Sequence, residues 1–339
     1  MRLILDIVEA GLYPRGMNKL VKRLLGAIGI FVLAGGAVLP SQRPLRVLLL
    51  YDMEGISEAT RAAFVRNGTE EYAQARVSLT ADVNAAIAGL KAAGVSEIIV
   101  VDGHGSGNSA SPDILEDRLA SPARMISRDA PFDIYMDSYD SSFDAIVAVA
   151  MHAGAGNAAG FLSHTYSGRG VEYRVNGEPF NETMILAMGG ARFKIPLIAV
   201  SGDDQLEKEI RRSLPGTRYA VVKHAVDRST AEPLARAEID RRITEAAFEG
   251  IKNLGQAGLI ERRGPFRFAV SFRTEEAAIA AAQAAGTGFV RDGTTVSVRA
   301  DDFVDGYRKS IRLYGAGVNP SPVPVPGSPP VRYWGARFP

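Results

Sequence analysis

Two carboxylates stand two positions apart in YDMEGIS (51–57): Asp52 and Glu54. If a strand runs through them, both side chains leave the same face of its sheet. Like charges that close need a cation or a shared proton. The chain has four histidines, and three of them sit in glycine- or serine-bearing segments: His104 in DGHGSG (102–107), His152 in MHAGAG (151–156) and His164 in LSHTYSG (162–168). Glu178 and Glu182 follow in NGEPFNET (176–183). Carboxylate oxygens and imidazole nitrogens are the usual ligands of a hydrolytic zinc site, and they also suit manganese, iron or cobalt. Such a mixed set also serves two adjacent ions bridged by a shared carboxylate. Spacing alone leaves His164, Glu178 and Glu182 open as the residues completing the set. The chain has no cysteine, which excludes disulfides, thiolate nucleophiles and thiolate metal ligands.

The elements that must position these residues are legible as apolar runs. RPLRVLLLYD (43–52), SEIIVVDGHG (96–105), FDAIVAVAMHAG (143–154) and IPLIAVSGDD (195–204) each end in polar residues. They read as buried strands. Between the first two, residues 68–93 carry Leu79, Val83, Ile87 and Leu90 at helical spacing. Strands alternating with helices predict an α/β fold with a mostly parallel sheet flanked by helices, and such sheets bind ligands past the carboxyl ends of their strands. Asp203 and Asp204 end the fourth run, where they could bind a substrate ammonium or cap a helix over 205–212. Lys223 is a candidate donor to a developing oxyanion, as is His164.

Farther on, 233–253, 275–285 and 301–315 read as helices and 267–274 and 294–300 as alternating strands, a smaller C-terminal α+β portion. The expected organisation is a leader at 1–42, a metal-binding α/β catalytic domain at 43–230, the α+β portion at 231–314, and a tail at 315–339. Seven prolines in that tail, from Pro320 to Pro339, exclude helix and central strand.

The leader follows from residue order. NKLVKR (18–23) is basic, LLGAIGIFVLAGGAVL (24–39) is apolar, and small residues gather near Ala34–Ala37. That order is a secretory signal, with Met17 as the expected true start and a periplasmic or secreted destination; an uncleaved leader would anchor the protein to the membrane instead. Lys plus Arg number 39 and Asp plus Glu 38, for a net charge of +1, so no concentrated positive charge points to nucleic acid. GHGSGNS (103–109) fails the dinucleotide fingerprint, and neither a P-loop nor a G-x-S-x-G elbow occurs.

The motif set resembles the D-aminopeptidase family, metallopeptidase family M55, of the dipeptide-transport-operon type. The matching blocks are YDMEGIS, the series Tyr72, Arg76, Thr80 and Asn84 before VDGHGSG (101–107), MHAGAG, GFLSHTYSG (160–168), VNGEPFNET (175–183), IPLIAVSGDD and VVKHAVDRS (221–229). They run in the family's order across roughly residues 46–314. The resemblance implies two zinc ions per subunit, with ligands at Asp52, Glu54, His104, His152 and Glu182, and a catalytic role for His164. It also implies a pentamer or decamer, and release of an N-terminal D-residue such as D-Ala from short peptides. A related metal-dependent amidase or esterase acting on cell-envelope fragments shares these features and would differ in its substrate pocket. A non-catalytic envelope binding protein would bind no metal.

Overall fold

The computed structural model describes residues 43–105, 112–126 and 133–315. The expected leader at 1–42 and, past Gly315, the proline-rich tail lie outside the described residues. Among the described residues no helix is long and apolar enough to cross a membrane.

The first four apolar runs form β1 (Arg46–Tyr51), β2 (Glu97–Asp102), β4 (Ala145–Met151) and β7 (Leu197–Asp203), with a short β3 (Ala123–Met125) between the second and third. β8 (Arg218–Ala225) and β9 (Ala231–Pro233) complete a seven-stranded sheet of order β3-β2-β1-β4-β7-β8-β9. It is parallel except where β9 runs antiparallel to β8. β1 to β3 extend to one side and β4, β7 and β8 to the other, so the order reverses between β1 and β4. Such a switch point is where open α/β sheets place their ligands.

Both faces of this sheet are covered, which is why its central strands are apolar throughout. Val47, Leu49 and Tyr51 of β1 join one core with α1 (Glu70–Ala92) and α4 (Arg236–Lys252); Leu48 and Leu50 join another. The expected stripe of Leu79, Val83, Ile87 and Leu90 on α1 is buried in the first core. A large apolar side chain buried fully contributes roughly 1.5–3 kcal/mol.

The second core holds α2 (Glu182–Ala191) and α3 (Asp204–Ser213) together with a second sheet. That sheet is antiparallel, in the order β11-β12-β10-β5-β6, built from β5 (Gly170–Val175), β6 (Glu178–Pro179), β10 (Phe266–Phe272), β11 (Phe289–Asp292) and β12 (Thr295–Ala300). α5 (Glu275–Ala285) and α6 (Phe303–Ile311) pack with it. The C-terminal α+β portion is thus present, but its sheet also takes β5 and β6 from before residue 230. The reason is local: GVEYRV (170–175) alternates too weakly to stand out, and it gains its partner, β10, from far along the chain.

Candidate metal centre

Asp52 follows β1 directly, and Glu54 lies in the turn beyond it. Gly55 belongs there because a Cβ would fall 2.0 Å from the Met151 carbonyl oxygen of β4; its amide donates to Ala150 O at 2.8 Å. The turn is held from below by Lys223 of β8, whose Nζ donates to the carbonyls of Glu54 (2.6 Å), Ile56 (2.9 Å) and Ala59 (2.9 Å). At the end of β2, Asp102 Oδ1 accepts from the amides of His104 and Gly105, both at 2.9 Å. His152 follows β4, whose Ala150 takes a left-handed φ of 61°. This kink lies within a register irregularity against β7, and the Ala150 amide goes to Ser201 Oγ at 2.9 Å. Glu182 opens α2, where the helix dipole favours a carboxylate, behind the N-cap Asn181.

Each imidazole near these carboxylates is oriented through Nδ1. His152 Nδ1 lies 2.9 Å from Ala153 O and His164 Nδ1 2.8 Å from Leu162 O. A carbonyl only accepts, so both Nδ1 atoms carry the proton. His104 Nδ1 lies 3.1 Å from Asp113 Oδ2. In all three rings Nε2 then faces the carboxylates. His104 Nε2 stands 3.6 Å from Glu54, His152 Nε2 3.4 Å from Asp52 and 3.6 Å from Glu182, and His164 Nε2 3.9 Å from both Glu54 and Glu182. The His152 and His164 rings stack at 4.1 Å.

These separations exceed a hydrogen bond. They resemble the edge between two ligands of a tetrahedral ion, ~3.4 Å for bonds of ~2.1 Å. His152 Nε2 and Glu54 Oε2 are buried without a hydrogen-bond partner. A divalent cation answers both observations, so the residues fit one. Among the described residues, two groupings bring their ligand atoms within 4.8 Å of one another: Asp52, Glu54 and His152, and His152, His164 and Glu182. Geometry therefore gives His164 the same reach as the expected ligands. Glu178, the alternative to Glu182, pairs instead with exposed Arg212 at 2.5 Å.

In the metal-free chain these groups hold one another charged. Burial raises the Glu54 carboxyl, but His104, His164 and His152 outweigh it and hold it at about 2. Burial opposes charge on His104, yet Glu54 and Asp113 lift it to about 10. His152 is raised in the same way, against burial, by Glu182 and Asp52.

The cluster opens into a cavity of about 690 Å³ lined by Asp52, Glu54, His104, His164 and Glu182 among others. Lys223, Asp203 and Asp204 do not line it. Each of the three expected substrate contacts is engaged within the fold. Lys223 donates to the three carbonyls above. Asp203 Oδ1 caps α3 through the amides of Gln205 and Leu206, and its Oδ2 accepts from Phe161 N at 2.9 Å, fixing the loop that carries His164. Asp204 Oδ1 accepts from Ala225 N at 3.0 Å.

Three residues were not foreseen. Asp113 orients His104 and itself accepts a short hydrogen bond from the Tyr72 hydroxyl. Tyr135 donates to Glu182 Oε2, while the Tyr166 amide donates to Oε1 at 2.6 Å. Asp133 stands in the cavity wall. A signal for the first was present in the spacing of Tyr72, Arg76, Thr80 and Asn84, which puts all four on one side of α1. Arg76 donates to the carbonyls of Pro112 and Ile114, Thr80 Oγ1 accepts from Leu115 N, and Asn84 bonds Arg118 O and Ala120 N. The four side chains thus clamp residues 112–120 and with them Asp113.

Metal-dependent hydrolases are the class that this cluster, at the carboxyl edge of a parallel sheet, defines. The chain belongs to the D-aminopeptidase family, peptidase family M55, whose model matches residues 45–310, and it is an enzyme of the metallo-aminopeptidase type. It is 26% identical over 265 residues to the D-aminopeptidase of Bacillus subtilis (strain 168), covering 78% of this chain and 94% of that one. It is also similar to a solved structure described as the Zn-dependent D-aminopeptidase DppA from Bacillus subtilis, a self-compartmentalizing protease. That likeness has a TM-score of 0.73 and 25% identity and covers 79% of this chain and 97% of the other.

Proposed function

We propose that the protein is a zinc-dependent aminopeptidase that releases the N-terminal residue, of D configuration such as D-Ala, from short peptides. Two zinc ions per subunit are held by Asp52, Glu54, His104, His152 and Glu182. The observation that carries this is the cavity of about 690 Å³, a size that small ligands fill, opening directly onto the carboxylate–imidazole cluster. Bound zinc acidifies water and polarises a carbonyl, the chemistry that peptide hydrolysis needs at neutral pH.

The chain's own residues supply the rest. Tyr135 and the Tyr166 amide hold Glu182 from its two oxygens. Asp113 holds His104, an outer contact of the kind that raises ligand basicity. His164 lines the cavity, whereas His152 does not. With its proton on Nδ1 bonded to Leu162 O, His164 presents Nε2 to the cavity. There it can accept a proton and return it to the leaving amine.

The description of the Bacillus subtilis relative as self-compartmentalizing supports a closed oligomer here, a pentamer or decamer, which light scattering on the purified protein measures. The basic–apolar–small order of residues 18–37 supports export to the periplasm or beyond, with an uncleaved leader as membrane anchor the alternative. The N-terminus of protein recovered from cell fractions decides between them.

The reading is tested by elemental analysis and by turnover on D-alanyl peptides. Protein prepared without chelator is expected to carry close to two zinc ions per chain and to release D-Ala. A metal content near zero after zinc supplementation would overturn it.

A further inference from the structure

Among the described residues, four carboxylates line the cavity: Asp52, Glu54, Glu182 and Asp133. The first three belong to the metal cluster. Asp133 is 3% exposed. Its Oδ2 accepts from Arg308 Nε at 3.1 Å, while Arg308 Nη2 donates to Asp137 Oδ1 at 2.8 Å. One guanidinium therefore serves two carboxylates. Asp133 Oδ1 is buried and has no hydrogen-bond partner. Burial and the neighbouring Asp137 push the Asp133 carboxyl up to about 7, against Arg308 and the Tyr135 amide. A buried unpaired carboxylate oxygen is costly until a donor meets it.

An aminopeptidase must recognise the ammonium next to the bond it cuts. Asp203 and Asp204 do not line the cavity, and the metal-cluster carboxylates are committed to the ion. We propose that Asp133 Oδ1 receives the α-ammonium of the peptide substrate and thereby selects peptides with a free amino terminus. Its place along the chain suits this. Tyr135, which holds Glu182, is two residues away, a backbone span of at most about 7 Å. The ammonium would find Asp133 in the same wall of the cavity as the residue fixing a metal ligand. The proposal rests on the aminopeptidase function stated above.

The test uses the zinc-loaded protein and two peptides, D-alanyl-D-alanine and propanoyl-D-alanine, which differ only in the amino group. Asp133→Asn keeps an oxygen for Arg308 and removes the charge. Its KM for D-alanyl-D-alanine is expected to rise roughly 10- to 100-fold, the effect of losing a charge-assisted hydrogen bond. Binding lost equally from ground and transition states leaves kcat nearly unchanged. Cleavage of propanoyl-D-alanine should be the same in both proteins, zinc content and Tm should hold, and Asp133→Glu should recover part of the preference for the amine. The double variant Asp133→Asn/Arg308→Gln, which removes the guanidinium with its partner, is read the same way if the single variant folds poorly. An Asp133→Asn protein that keeps the wild-type preference for the free amine overturns the proposal and leaves the function standing. A wild-type protein that cleaves both peptides alike overturns the aminopeptidase function and this proposal with it.

Discussion

Three imidazoles turn Nε2 toward Glu54 or Glu182, and they differ in what else surrounds them. The His152 side chain is 1% exposed, His104 14% and His164 21%. His152 is sealed beneath the cluster, His104 is held by Asp113, and His164 stacks over His152 from the cavity side. His164 is the most exposed of the three rings and meets the cavity, which suits it to proton transfer. His164→Ala should therefore lower kcat/KM on a D-alanyl peptide by roughly 10²–10⁴-fold with zinc content and Tm unchanged. His104→Ala should lose zinc along with rate. If His164→Ala keeps more than about a tenth of the wild-type value, the proton role is wrong; if it loses zinc, His164 is a ligand and the set must be redrawn. A fall in Tm with only a modest change in rate would make it a packing residue of the 160–168 loop.

At the scale of elements, the site is a junction between two strands that the sequence separates widely. β1 and β4 pair in parallel from Val47↔Ala145 to Tyr51↔Val149. Just past that register Gly55 packs against the backbone of Ala150 and Met151. Asp52 and Glu54 reach His152 because the two chains come this close. Gly55→Ala would drive a methyl into backbone with no flexible side chain to yield, so the strand ends must part. Overpacking of this kind typically destabilises by ~1–3 kcal/mol, and the parted ligands should also hold zinc more weakly. Gly258→Ala is the control, because nothing lies within 4 Å of its added Cβ. Urea midpoints and zinc content of the two variants separate the outcomes. A Gly55→Ala protein with wild-type stability and metal would show that the close approach does not set the site.

For the molecule as a whole, the cluster links stability to pH in a way that metal should abolish. Without metal, His104 is raised from 6.5 to about 10, against its burial, by Glu54 and Asp113. A raised histidine contributes stability that is fully present below pH 6.5 and is lost as pH rises through about 10. Glu54 is lowered from 4.5 to about 2. Its contribution is present above pH 4.5 and lost as pH falls through about 2. Three other groups titrate within the measured range: burial and Asp113 raise Asp102 from 3.8 to about 7, and Lys223 and Asp133 shift as well. Lys223 is drawn by burial from 10.5 to about 7 and Asp133 is raised from 3.8 to about 7. Lys223 favours folding increasingly from pH 7 to 10.5, while the contribution of Asp133 is complete below 3.8 and gone above 7. None of the three is a metal ligand, and Glu54 and His104 are lesser causes of the Lys223 and Asp102 shifts, so all three act largely alike with and without zinc. Ligating imidazoles are deprotonated in the zinc form. The Tm of chelator-treated protein is therefore expected to fall relative to that of zinc-saturated protein between pH 6.5 and 10. Two profiles that run parallel over that range would remove His104 from the metal site.

Residue type and position sufficed to point to Asp52, Glu54, His104 and His152, because a cysteine-free chain with four histidines offers few ways to build a metal site and apolar runs mark where strands end. The stripe on α1 and the parallel order of β1, β2, β4 and β7 were legible for the same reason: hydrophobic period reports which faces are buried. The period says nothing of partners distant in sequence. The pairing of β5 with β10, the buried Lys223 under the Glu54 turn, and the commitment of Asp203 to α3 and Phe161 all depend on which chains meet after folding. Asp113 and Asp133 are the clearest cases. Each is one acid among 38 Asp and Glu residues, without a motif of its own. The first matters because α1 presses it against His104, the second because the wall of the cavity leaves one of its oxygens without a partner. Local composition determines where an element can form and what its end can bind. Burial, which turns an ordinary carboxylate into a group that must be satisfied, is a property of the packed chain alone.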